Sequence, residues 1–278
     1  MGQLRVRSDP DHRLVFEQEK YKINESEGAP EIDSGTMSVT ANPGHSPVRT
    51  GYPESDIPFP HTGEWAGNCR LWHFCDTGET ARMKQCQPTN DNLVLKADGA
   101  NLATYLRMLR REHEAAYGEI VSTIRLVAPF FGDFVYRPGE PEFVELEWTQ
   151  AGKPDTPFKA HVLSDGTLRF ICLATLLLQP MELLPETILM DEPELGLHSY
   201  AISVLAGIFR QVAEKRQLII SSQSVELVNE LKPEDIIVVD QEDGASTFRR
   251  FDGEKLADWL EEYTLGEIRE MNVLGGRP

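Results

Sequence analysis

The 278-residue sequence predicts an α/β fold whose C-terminal half carries a parallel sheet covered on both faces by helices. Two observations carry this. After Pro157, apolar strand patterns alternate with helical ones: TILM at 187–190, LIISSQS at 218–224 and IIVVD at 236–240. These strands are continuous apolar runs, the pattern of strands buried on both faces. Between the first two, Tyr200–Lys215 places Ile202, Leu205, Phe209 and Val212 on one face of a helix.

The preceding elements follow from local patterns. Residues 1–24 alternate weakly (Leu4 and Val6, then Leu14, Val15 and Phe16) and predict one or two strands joined by a polar turn. Residues 25–63 are rich in Gly, Pro, Ser and acids and read as a long loop or insertion. CRLWHFCD at 69–76 reads as a strand. The stretch 101–127 predicts a helix, with Asn101 placed to cap it and Leu102, Leu106 and Leu109 on one side. FVYRP and EFVELEWTQ, separated by Pro-Gly, predict a hairpin. STFRRF at 246–251 suits an edge strand, and a helix is expected near 254–263, its Trp259, Leu260 and Tyr263 packing on the core. The division expected is an N-terminal part, 1–150, with the insertion at 25–63 and the helical region at 101–127, and a second part, 151–278.

Composition narrows the function classes. No run of about 18 apolar residues occurs, so no membrane span is expected, and the polar N-terminus MGQLRVRSDPDHR is unlike a secretory signal. A cytoplasmic location is the expectation. The net charge of −18, from 27 basic and 45 acidic residues, disfavours non-specific adhesion to nucleic acid while leaving room for a local basic patch. Cys69, His73, Cys75 and Cys86 cluster in sequence, but their spacing fits no common zinc site, and free thiols are expected.

Two segments carry chemistry. Ile188-Leu189-Met190 ends in Asp191-Glu192-Pro193, so adjacent carboxylates terminate a buried strand at the edge where α/β sheets bind ligands. There Asp191 would hold Mg²⁺, directly or through water, while Glu192 orients and polarises an attacking water. The plainer reading is a strand running into a polar loop. Upstream, Leu163-Ser164-Asp165-Gly166-Thr167 precedes the apolar LRFICLATLLL. Ser164 is placed as an N-cap, and the positive helix end with Gly166 beside it admits a phosphate. An ordinary cap on a buried helix has the same pattern.

The order LSDGT, helix, ILMDEP, ELGLH, then a strand ending in SSQS resembles the ABC-type ATPases, in the RecF/SMC-like branch and in particular the AAA-21 type. The resemblance is specific over 158–240. It extends loosely to DTGETARMK at 76–84, to DGANLATYLRML and to the C-terminal WLEEYTLGEI and NVLGGRP. It implies a P-loop NTPase-like sheet with a β-rich and helical N-terminal elaboration. LSDGT would be the signature motif, TILMDEP the Walker B strand, Glu194–His198 the D-loop and Gln223 the switch position. The residues so implied are Glu192 and Gln223 for catalysis, Ser164, Gly166 and Asp191 for nucleotide, and Asp191 for magnesium. ATP and Mg²⁺ are the implied cofactors.

Two departures from the family pattern stand out. Gln223 occupies a position where most ABC proteins carry His; it exchanges hydrogen bonds but carries no proton charge. The pattern G-x-x-x-x-G-K-[ST] does not occur in the sequence, so the cradle for the β-phosphate, its lysine and its Mg²⁺-binding hydroxyl are lacking. The expectation is a chain incomplete at its N-terminus, or one whose loop lies on another polypeptide, binding ATP weakly alone. Ser164 would then serve nucleotide held by an opposite protomer.

The function expected is that of an ATPase subunit coupling dimerisation to DNA maintenance or anti-phage defence, with DNA or an effector such as a nuclease as further partner. The alternative is a non-catalytic interaction module that binds a partner protein. Arg107, Arg110 and Arg111 share a helix face; Glu112 and Glu114 beside them favour a solvated face over a DNA contact. His61, His73 and His161 are taken as structural, and Gly275-Gly276-Arg277 as a frayed tail.

Overall fold

The computed structural model describes residues 2–8, 14–21, 69–139, 141–242, 245–250 and 262–271. By contacts the chain divides into two compact units, one of Met1–Cys69, Ile237–Arg250 and Leu274–Pro278, the other of Arg70–Ile236 and Phe251–Val273. The expected 25–63 loop, His61, Trp259, Leu260, most of the 254–263 helix and Gly275–Arg277 lie outside the described residues.

The first unit opens with β1 (Gly2–Ser8) and β2 (Leu14–Tyr21), an antiparallel pair with a bulge between Arg5 and Val6. The expected N-terminal strands are therefore both present.

β3 (Cys69–Trp72), in the second unit from Arg70 on, leads into an irregular stretch and then β4 (Gln87–Pro88). The helix expected over 101–127 is two helices, α1 (Leu102–Glu112) and α2 (Glu114–Val127), with His113 between them at φ −137°, ψ 56°. The break falls where the apolar stripe lapses, between the buried Leu109 and Tyr117. Asn101 precedes α1 as expected but does not cap it. Its side chain is buried and organises the loop before it: Oδ1 accepts from the Lys96 amide at 2.9 Å, and Nδ2 donates to the Asp91 and Val94 carbonyls at 2.9 and 2.8 Å. Gln87 supplies the cap instead, its Oε1 accepting from the Ala103 amide at 2.9 Å. An acceptor arriving from β4 satisfies the helix end as well as a local one would.

The arginine face of α1 is divided among structural contacts. Arg107 is buried and donates to the Gly139 carbonyl at 2.8 Å. Arg110 lies over the rings of Tyr117 and Tyr136, 5.6 and 5.4 Å from their centroids. Burial raises the hydroxyl pKa of both tyrosines.

The expected hairpin forms between β5 (Phe131–Val135) and β7 (Glu147–Gln150), with β6 (Phe143–Val144) pairing β4 on the way. β8 (Lys153–Lys159), absent from the sequence expectations, joins β7 antiparallel and carries Pro154 and Pro157. It lies at the edge of the sheet β5-β7-β8, where a residue without an N–H is tolerated.

The core gathers around α3 (Asp165–Leu177), in which every residue from Leu168 to Leu177 is buried. Within it the Cys172 thiol lies 3.8 Å from the Met83 sulfur, and burial raises its pKa. β9 (Thr187–Asp191), α4 (Ser199–Ala213), β10 (Gln217–Ser221) and α5 (Val225–Asn229) follow. β9 and β10 run parallel, Gln217 opposite Thr187 and Ser221 opposite Asp191, in a sheet ordered β10-β9-β3. The fold is mixed α/β with a parallel strand pair, as expected. β10 differs from the expected doubly buried strand: its residues alternate between exposed and half-buried, with Ile219 43% exposed.

IIVVD does not extend that parallel sheet among the described strands. It forms β11 (Ile237–Glu242), paired antiparallel with β12 (Ala245–Arg250) in a two-stranded ribbon of the first unit. An apolar run specifies a strand without specifying its partner. Tyr263, expected to pack on the core, is 38% exposed. The short α6 (Leu265–Glu270) follows, with Thr264 and Glu267 in a capping box: Glu267 accepts from the Thr264 amide at 2.8 Å and returns its own amide to the Thr264 hydroxyl at 3.3 Å. The Thr264 amide and hydroxyl hold the Glu267 carboxyl below its ordinary pKa.

Candidate functional site

The parallel register brings β9 and β10 to their carboxyl ends together. Asp191, the last residue of β9, is exposed, and its Oδ1 accepts from the Ser221 hydroxyl opposite. The Glu192 amide still donates to the Ser221 carbonyl, at 2.9 Å. The chain then turns sharply. Glu192 has φ 42°, the one positive φ at a non-glycine among the described residues. A left-handed non-glycine residue costs on the order of 1 kcal/mol, and such strain concentrates at functional sites. The turn closes through Leu195 N–H to Glu192 O at 3.1 Å and Leu197 N–H to Glu194 O at 3.0 Å, with Gly196 at φ 77°.

The start of α3 lies against this acid-bearing loop. Ser164 caps the helix as expected: its Oγ accepts from the Thr167 amide at 3.2 Å and lies 2.8 Å from the Thr167 hydroxyl. Gly166 packs on Gly196 so closely that a Cβ would stand 2.3 Å from the Gly196 carbonyl oxygen. Beneath this contact Arg169, only 8% exposed, donates to three backbone carbonyls. These are Phe74 at 3.0 Å, Cys75 at 3.2 Å and Leu195. One guanidinium thus joins α3, the stretch after β3 and the acid loop. Lys84, its side chain buried, reaches to 3.7 Å from the Asp165 carboxylate on the first turn.

Gln223 lies exposed two residues beyond β10, in the loop that leads into α5. Ser224 caps α5, accepting from the Leu227 amide at 3.2 Å. Ser222 donates to Oε1 of Glu194, a carboxylate only 7% exposed. Arg169 and Lys84 escaped the sequence reading, while Glu194 and Ser222 entered it only as members of the ELGLH and SSQS segments, without a role of their own. Arg169 alone left a signal there, as the one cation inside an apolar helix, which has to find partners when buried.

The arrangement suits a hard divalent cation held mainly by non-protein oxygens. A small pocket is lined by Trp72, Cys75, Arg169, Met190, Asp191 and Glu192, among others. Among the described residues no three His, Cys, Asp or Glu side chains converge on a point able to hold a metal. Mg²⁺ is commonly held by one or two carboxylates plus waters and phosphates, so the exposed Asp191 carboxylate is a fitting ligand. The side chains of His73 and Cys75, both exposed, lie 3.6 Å apart between Nδ1 and Sγ. No described helix is long and apolar enough to cross a membrane.

Residues 109–229 match the family model described as "AAA domain, putative AbiEii toxin, Type IV TA system". Over this stretch the chain is similar to that AAA family. The stretch runs from the end of α1 through Ser164, the acid pair and Gln223 to the end of α5. No curated protein matches the sequence. Three solved structures similar to the chain concern SMC proteins. One is from work on ATP-driven dimerization and DNA-stimulated activation of SMC ATPases, at 20% identity and TM-score 0.42, covering 56% of this chain and 96% of that one. Another is an Smc head domain with an extended coiled coil, bound to the C-terminal domain of ScpA and derived from Pyrococcus furiosus. It shows 21% identity and TM-score 0.43, covering 56% of this chain and 39% of that one. The third is the SmcHead bound to the C-winged helix domain of ScpA, at 17% identity and TM-score 0.46, covering 68% of this chain and 57% of that one. At these identities the likeness concerns fold alone. Within the matched stretch the acid pair, the capped start of α3 and the Gln223 loop occupy neighbouring elements.

Proposed function

We propose that the matched stretch is the motor half of an ATP-binding and ATP-hydrolysing subunit, with nucleotide sandwiched between two protomers. Asp191 holds Mg²⁺ through water, Glu192 polarises the attacking water, and Gln223 contacts the γ-phosphate side. Ser164 and Gly166, at the positive end of α3, serve the nucleotide held by the opposite protomer. The phosphate cradle comes from a segment or chain other than these 278 residues, since the glycine-rich lysine pattern is absent from them. Closure of the pair is coupled to DNA maintenance or anti-phage defence, through DNA or an effector such as a nuclease.

The observation that carries this reading is the acid pair at the rim of the parallel strands, with Glu192 in a left-handed conformation uncommon for a non-glycine residue. The test is Glu192→Gln, assayed with a phosphate-loop segment present in the same polypeptide or in trans. Turnover is expected to fall by roughly 10²-fold or more, as for loss of a general base, while the ATP-bound dimer accumulates in light scattering. Normal turnover by a monomeric variant would sink the assigned roles.

A further inference from the structure

We infer that Glu194 is a positioning residue that locks the Gln223 loop to the acid loop. Three serine-to-glutamate hydrogen bonds join the two halves of the site in register. Ser222 donates to Glu194, Ser199 to Glu226 at 2.9 Å, and Ser203 to Glu230. Arg210 extends the series, donating to the Glu230 carbonyl at 2.8 Å. The acid loop and α4 are thereby joined, rung by rung, to the Gln223 loop and α5.

The first rung differs in kind from the others. Glu226 is exposed and Glu230 half-buried, whereas Glu194 is 7% exposed, and its Oε2 is buried without a hydrogen-bond partner among the described residues. Seating a carboxylate this way is costly, and the cost falls at the one rung that borders Gln223. What it secures is the Ser222 hydroxyl. That oxygen donates to Glu194 and also accepts from the Ser224 amide at 3.0 Å, so both neighbours of Gln223 are gripped from one point. Gln223 therefore takes its place from the loop that carries Asp191 and Glu192. The bearing of this lock on turnover rests on the proposed role of Gln223; the lock itself does not.

Amide hydrogen exchange of the full chain, read by mass spectrometry, tests the lock. Ser222→Ala is expected to speed exchange in both 192–197 and 222–226 by roughly fivefold to tenfold, the size of a lost hydrogen bond, with protection elsewhere in the unit retained. Glu194→Gln, which keeps an acceptor for Ser222, is expected to retain the protection. Ser203→Ala, which breaks the rung farthest from Gln223, is expected to leave both loops protected. The lock is overturned if Ser222→Ala leaves 192–197 unaltered, or if exchange rises across the whole unit as the melting temperature falls. Joint loss of protection with ATP turnover unchanged in loop-complemented protein upholds the lock and removes Gln223 from the chemistry.

Discussion

Gly166 and Gly196 touch backbone to backbone: a methyl group on Gly166 would stand 2.3 Å from the Gly196 carbonyl oxygen. The first turn of α3 and the acid loop are therefore held at a separation that admits no side chain. Gly166→Ala has to displace one of them, and a loss of about 1–3 kcal/mol in unfolding free energy is expected, the usual range for overpacking. Gly118→Ala in α2 is the matched control. A Cβ there meets nothing within 4 Å, and a helix-interior glycine replaced by alanine gains about 0.5–1 kcal/mol. Urea denaturation of the two variants should shift the midpoint in opposite directions.

Arg169 makes the same joint from the side-chain end. Its planar fork reaches Phe74, Cys75 and Leu195 together, a geometry that a single ammonium does not reproduce. Arg169→Lys keeps the charge and is still expected to cost about 1.5–3 kcal/mol, the scale of hydrogen bonds to a charged group. Chemical denaturation measures this directly; a lysine variant as stable as the parent would show that charge, not the fork, matters.

Glu192 separates stability from function. At φ 42° glycine fits without strain, whereas a β-branched residue does not. Glu192→Val is expected to unfold more easily than Glu192→Gly by about 1–2 kcal/mol, within the range for strained backbone positions. Both lack the carboxylate and should be equally inactive in a loop-complemented ATPase assay. Equal stability of the pair would mean that the turn relaxes once Glu192 is gone.

What the sequence disclosed was local. The acid pair ending a strand, the Ser164 cap and the helical face of Ile202, Leu205, Phe209 and Val212 each depend on residues a few positions apart, and each is found as read. What stayed hidden depends on partners distant in sequence. Asn101 sits where a cap belongs, yet Gln87 does the capping because the fold brings β4 to the helix end. β8 carries prolines, which count against a strand locally and which an edge position excuses. β11 was read as a sheet strand because nothing in IIVVD distinguishes a parallel neighbour from a hairpin partner. The serine–glutamate rungs join residues 27 or 28 positions apart and have no pattern that one segment displays.

With 45 acidic residues and 27 lysines and arginines, the chain cannot match each carboxylate with a cation. Around the site hydroxyls stand in: Ser221 for Asp191, Ser222 for Glu194, Ser199 for Glu226, Ser203 for Glu230. A hydroxyl has no net charge for dissolved ions to screen. Ionic strength that weakens exposed pairs such as Arg82–Asp98 or Lys159–Glu145 leaves these links in place, while easing the mutual repulsion of the acids themselves. The joint between the two loops is in that sense built for brine as well as for dilute buffer.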